Sequence, residues 1–233
     1  MNRRRFLTGA LGTFFWLNFH AKLSASGFKS HPFQKVTAGR ITGIVLQTAV
    51  GLEKMKAFYH ESLGLKIISE KPDRITFQAG ASLLTFQKTE TEDTNPFYHF
   101  AFDIPENKIF AARAWQQERT DLITPYTHLQ DDSMPDEIVH FKHWNAHSVF
   151  FFDPAMNIVE YIARHDIRNS SPGDFNSKDI LYISEIAFVV DDVASHVDNM
   201  KKSLDLKRYS QASAAFEAVG DQYGLLLVKK KGR

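Results

Sequence analysis

GLEKMKAFYHESLGLKII (51–68) and HSVFFFDPAMNIVEYIA (147–163) decide how the rest of the chain reads. In the first, Leu52, Met55, Tyr59 and Leu63 recur near helical spacing, and Gly64 suits the position just past a helix end. In the second, β-branched and aromatic residues flank Asp153-Pro154, the pattern of two strands around a turn. Pairing across that turn sets Phe152 opposite Ile158, Phe150 opposite Glu160 and Ser148 opposite Ile162. Alternation along a strand then places Ser148 and Phe150 on the face of Glu160 and turns His147 to the other.

Working outward, ITGIVLQTAV (41–50) reads as a strand before the first helix, and LKIISE, RITFQAG and SLLTFQK read as three after it. The order is β-α-β-β-β. It recurs with HFAFDI (99–104) as strand, ENKIFAARAWQQER (106–119) as helix, a long polar segment from Asp121 to Asn145, and then the 147–163 hairpin. A linker with Ser170, Ser171, Pro172 and Gly173 leads to a third copy: ISEIAFVV, DDVASHVDNMKKSLDL and GDQYGLLLVKK. An offset of 141 carries LGLK (63–66) onto LDLK (204–207), and carries Ile44 onto Glu185. The expected fold class is therefore α+β, built of βαβββ modules at 40–90, 97–165 and 180–233, with 166–179 as linker. Each module exposes an apolar sheet face that it cannot bury alone. We expect modules one and two to pair into an incomplete barrel around a cleft, with module three appended. Its bare sheet face points to a homodimer.

The chain has 233 residues, 43% hydrophobic and 24% charged, which excludes disorder and a multi-span membrane protein. A formal charge of +1 offers no basic field for nucleic acid. Cysteine is absent, so disulfides, thiolate metal sites and a cysteine nucleophile are excluded. Residues 1–26 run from Arg3, Arg4 and Arg5 through an apolar stretch, Phe6 to Phe19, to small Ser24, Ala25 and Ser26. That order describes an export signal too short for a membrane span. Arg3, Arg4, Phe6 and Leu7 resemble a twin-arginine signal, which implies export of a folded protein to the periplasm or beyond. Without these residues, 24 basic side chains face 27 acidic ones, a net charge of −3. Residues 27–39, with Pro32, read as a tether, and Lys229, Lys230, Lys231 and Arg233 as a solvated basic tail. No Gly-rich nucleotide loop, HExxH or GxSxG occurs.

The two quoted stretches resemble the vicinal-oxygen-chelate superfamily, which includes glyoxalase I, extradiol dioxygenases and bleomycin-resistance proteins. In its last hairpin that group carries Asp-Pro-x-Gly-Asn before a glutamate; here Met156 replaces the glycine, at a turn position where a side chain costs on the order of 1 kcal/mol. The resemblance implies a divalent metal (iron, manganese or zinc) held between paired modules by residues of their first and last strands. Those positions fall on Ile44 and Thr85 in module one and on His99 and Glu160 in module two. Glu185 and Leu227 occupy them in module three, where they make no local ligand set. His99 and Glu160 are the expected metal ligands, Glu160 also the catalytic carboxylate. Ile44, Thr85, Asp103, Ser148 and Phe150 are the expected lining of a cleft for a small oxygenated substrate. A third ligand is sought in the 121–145 segment, from His128, His140 or His143, and that segment, acidic at Asp131 and Asp132, is the natural lid. Ile44 and Thr85, which leave half the ligand set empty, keep open a non-catalytic binding protein of the drug-sequestering kind.

Overall fold

A computed structural model describes residues 39–89, 96–125, 133–209 and 213–232. The expected signal, almost all of the tether, His128, Asp131, Asp132 and Arg233 lie outside the described residues. Module one comprises β1 (Gly43–Thr48), α1 (Leu52–Lys56), a wider π-helical turn (Ala57–Ser62), β2 (Lys66–Lys71), β3 (Arg74–Ala79) and β4 (Ser82–Lys88). Module two comprises β5 (His99–Ile104), α2 (Ile109–Gln117), β6 (Val139–Phe141), β7 (Ala146–Phe152) and β8 (Ile158–Arg164). Module three comprises β9 (Tyr182–Val190), α3 (Val193–Leu204), β10 (Phe216–Asp221) and β11 (Gly224–Lys230). Its expected second strand is reduced to one bridge, Arg208 to Val219. The basic run at 229–230 closes β11, with Lys229 half-buried and Lys230 exposed.

The α+β architecture of repeated modules is as expected; the partnership between modules is not. One sheet has the order β1-β4-β3-β2, and the other β10-β11-β9-β5-β8-β7-β6. The second sheet joins modules two and three, because β5 and β9 run antiparallel with Phe100 opposite Ile186 and Ala101 opposite Glu185. A strand has two edges, and those of β5 are filled by β8 and β9, so β1 does not pair with β5; module one meets that sheet at a single bridge, Ile41 to Ile183. Module three is thus the paired module and module one the appended one.

Module one is fastened through its core instead. Leu52, Met55, Tyr59 and Leu63 turn inward onto Phe77 and Phe86, in one apolar cluster with Phe100, Phe102, Phe151 and Tyr161 of module two. Burying such side chains stabilises by roughly 1.5–3 kcal/mol each. Phe58 packs on Phe151 with ring centroids 6.2 Å apart. The Tyr59 hydroxyl donates to Asp153 Oδ2 at 2.8 Å. Asp153 also accepts from the Ala155 and Asn157 amides, which fixes the hairpin turn. Within that turn Met156 has φ 64°, so the left-handed conformation is kept without glycine. The β3–β4 turn docks on the start of β9. Gly80, at φ 55°, stands where a Cβ would come within 1.9 Å of the Leu181 carbonyl oxygen, which only glycine permits.

The internal repeat survives in the helix ends. Gly64 ends the first helix at φ 72°, and Asp205, in the matching LDLK, ends α3 at φ 51°. Short polar side chains tolerate that region better than others do.

Candidate functional site

The site grows from strand parity. In β8, Glu160 alternates with Ile158, Ile162 and Arg164, and the parallel register sets Ile158 beside His99 and Glu160 beside Ala101. His99, Ala101 and Asp103 therefore share a sheet face with Glu160. The β7–β8 register is the one expected from the sequence: Phe152 with Ile158, Phe150 with Glu160, Ser148 with Ile162. Across β5, Glu185 of β9 lies opposite Ala101 and joins that face.

Three side chains converge there. His99 Nε2 lies 3.2 Å from Glu160 Oε2, and one donor atom from each of His99, Glu160 and Glu185 falls within 4.8 Å of the others. Among the described residues this is the one such group of three. Glu160 and Glu185 are 2% and 1% exposed, so neither carboxylate is water-solvated. Burial lowers the His99 imidazole, but the Glu160 carboxylate and, further off, Glu185 outweigh it and hold the ring above its ordinary value. Burial raises Glu185 to about 7, reinforced by the Glu160 charge and opposed by Arg164.

Arg164 gives the site its second layer. From the far end of β8 its guanidinium hydrogen-bonds Glu185 Oε1, while its Nε stands 3.7 Å from Asp103 Oδ1. Asp103 is fully buried, accepts from Asn169 at 3.4 Å, and is raised to about 7 by burial, with Arg164 pulling it down. It stands beside the Arg164 guanidinium at the buried end of this face. Trp144 covers this end of the sheet face. It packs on Ala101, Ala146 and Ile162 of module two and on the apolar cluster of module three, with its ring 5.5 Å from Tyr209. Phe150 tilts over His99 at 6.0 Å between centroids, and Ser148 is buried on the same face.

The remaining expected site residues are elsewhere. Thr85 and Ile44 lie in the other sheet, where the Thr85 hydroxyl bonds Thr76 at 2.9 Å and Ile44 packs toward the helix core. In register, Val45 is beside Thr85 as Ala101 is beside Glu160, so Gly43, not Ile44, occupies the position of His99. A slip of one residue reverses the face of a strand. His140 belongs to β6 and stacks on His147 at 4.2 Å, on the face opposite Ser148. It is not the third donor. His147 lies on the face opposite Glu160, as expected, but is buried there, with Nδ1 2.7 Å from His165 Nε2. Reasoning from the sequence missed Arg164, Trp144 and Tyr209. Arg164 was within reach, being four residues beyond Glu160 and hence on its face.

The donor set suits a divalent metal: one imidazole nitrogen and two carboxylates, with Glu160 Oε1 buried and no hydrogen-bond partner supplied for it. The fourth corresponding position, Leu227, closes the set at three.

Among curated proteins no sequence matches. Among solved structures, a Bacillus subtilis protein described as a "putative dioxygenase" superposes with a TM-score of 0.60 at 15% identity, covering 86% of this chain and 66% of that one. The V278E mutant of glyoxalase I from Zea mays gives 0.54 at 14% identity, covering 83% of this chain and 68% of that one. Glyoxalase I from Zea mays gives 0.52 at 14% identity, covering 82% and 66%. These likenesses concern the fold, and this chain spans about two thirds of each. A family model, Glyoxalase/Bleomycin resistance protein/Dioxygenase superfamily, matches residues 43–161. Members of that group typically bind a divalent metal and take small-molecule substrates. The chain belongs to the glyoxalase/bleomycin resistance protein/dioxygenase superfamily.

Proposed function

We propose that the protein is a metal-dependent enzyme of this superfamily that acts on a small oxygenated substrate in the cleft between modules two and three. The observation that carries this reading is the convergence of His99, Glu160 and Glu185 within 4.8 Å on one buried face. These residues would hold iron, manganese or zinc, and such an ion supplies Lewis acidity to neighbouring substrate oxygens. Glu160 is the residue able to move a proton, since one of its oxygens has no protein partner. Arg164 keeps Glu185 turned into the site, and Trp144 and Tyr209 exclude water from that end. The sequence supports export, through residues 1–26; no helix among the described residues is long and apolar enough to cross a membrane.

A second reading, a non-catalytic binder, draws on Leu227 and on the neutralisation of Glu185 by Arg164, which together suit an apolar ligand in a site without metal. Metal analysis of untagged protein purified without chelators separates the two. One equivalent of transition metal, lost in Glu160→Ala, supports the enzyme. A metal-free protein that retains no added ion supports the binder.

A further inference from the structure

Lys229, which the sequence marks only as part of a basic tail, lies on the sheet face that carries Glu185. In β11 the parallel register sets Leu225 beside Glu185, Leu227 beside Ala187 and Lys229 beside Val189. Alternation keeps all three on that face. The face is closed at its Arg164 end, where Trp144 packs on Ala101, Ala146 and Ile162. It opens the other way: Glu185 is 1% exposed, the His99 side chain 11%, and Phe152, on the rung of His99, 36%. Lys229 stands one rung beyond His99, at the open end. From His99 the sheet runs two strand spacings across, about 10 Å, and two residues along, about 7 Å. Ala187 and Leu227 lie between, part of one apolar cluster with Ala218.

We propose that Lys229 is the subsite for an acidic group of the substrate. The molecule would chelate the ion through neighbouring oxygens at one end, lay a short apolar middle over Ala187 and Leu227, and present an anionic terminus to Lys229. This rests on the metal-dependent reading above, because the ion would hold the other end. Lys229 is half-buried, with Phe216 as its register partner in β10. Burial draws its ammonium down to about 8, so it still carries its charge at neutral pH. A cation partly withdrawn from water gains more from an anionic ligand than an exposed one does. Lys230, the next residue, is exposed and turns to the face of Val190, away from the cleft. The balance of charge on the face agrees. A divalent ion with Arg164 and Lys229 brings four positive charges, against at most three negative ones from Glu160, Glu185 and Asp103.

Two matched probes test this: 2-oxoadipate and 2-oxohexanoate share the chelating 2-oxo acid and differ only in a distal carboxylate. Calorimetric titration of the zinc-loaded full chain is expected to show 2-oxoadipate binding roughly ten-fold tighter or more, the size of a charge-assisted contact. Lys229→Met is expected to abolish that preference while leaving zinc content and 2-oxohexanoate affinity unchanged. Lys229→Arg and Lys230→Met are expected to keep it. Equal affinities in the unaltered chain, or a preference that survives Lys229→Met, overturn the inference; 2-oxohexanoate bound through zinc would then leave the metal site standing. A chain that holds no zinc overturns the metal-dependent reading itself, and this inference with it.

Discussion

Arg164 hydrogen-bonds Glu185, joining the last strand of module two to the first strand of module three. Both side chains are essentially fully buried, at 1% exposure each. An isolated charge so placed is costly, and removing one partner of a buried pair destabilises by about 3–5 kcal/mol. Arg164→Met is therefore expected to lower the unfolding free energy by that amount in urea titrations. Arg164→Met combined with Glu185→Leu is expected to recover part of it, because Glu185 is no longer buried without its partner while Asp103 still lacks Arg164. A double variant as weak as the single one would mean that the pair is not what stabilises the junction.

Asp103 makes stability pH-dependent in an uncommon direction. Its folded value, about 7, lies above the ordinary carboxylate range because burial outweighs the pull of Arg164. The folded state then binds a proton more readily than the unfolded one, so the contribution is fully present below about pH 4 and is lost as pH rises through 7. Asp103→Asn is expected to flatten the decline between these limits. Unfolding free energies at pH 4.5, 6 and 7.5 for both proteins check this, and parallel curves would contradict it.

Tyr59 and Asp153 hold module one to the hairpin of module two. Tyr59→Phe removes one buried hydrogen bond and leaves Asp153 its two backbone donors and the Asn157 side chain. The expected loss is about 1–2 kcal/mol by thermal or urea unfolding. Asp153→Ala, which frees all four donors at once, is expected to cost clearly more. Equal losses would place the weight of the junction on the tyrosine alone.

Much of the module architecture could be read from the sequence because its signals are local. Helical spacing at Leu52, Met55, Tyr59 and Leu63, the turn at Asp153-Pro154 and the parity of Ser148, Phe150 and Glu160 need no partner strand to be interpreted. Module partnership is a different kind of quantity. Whether β5 meets β1 or β9 depends on edges brought together across some eighty residues, and nothing in HFAFDI marks which neighbour it takes. The third donor was lost for that reason. Glu185 stood at a ligand position throughout, but with module three set aside it had no His99 or Glu160 beside it. The slip at Ile44 is smaller and instructive: an offset that aligns LGLK with LDLK is one residue out for the preceding strand, and one residue turns a side chain from cleft to core.

The divided contribution to the site also predicts unequal ligand effects. Glu185→Gln keeps the size of the side chain and its contact with Arg164 while halving its donor capacity. It is expected to weaken metal binding by roughly 10–100-fold, in the range of lost supporting contacts. His99→Ala and Glu160→Ala are expected to weaken it more, and Thr85→Ala, in the other sheet, not at all. Isothermal titration of the apo-protein with zinc or manganese distinguishes these, and a loss at Thr85→Ala would contradict the pairing of modules two and three.

Anomalous diffraction, collected on either side of the absorption edge of the metal that copurifies, tests the central claim most directly. A single strong peak is expected within about 2.0–2.3 Å of His99, Glu160 and Glu185. A peak at any other group of side chains, or none in crystals whose protein contains metal, would contradict it.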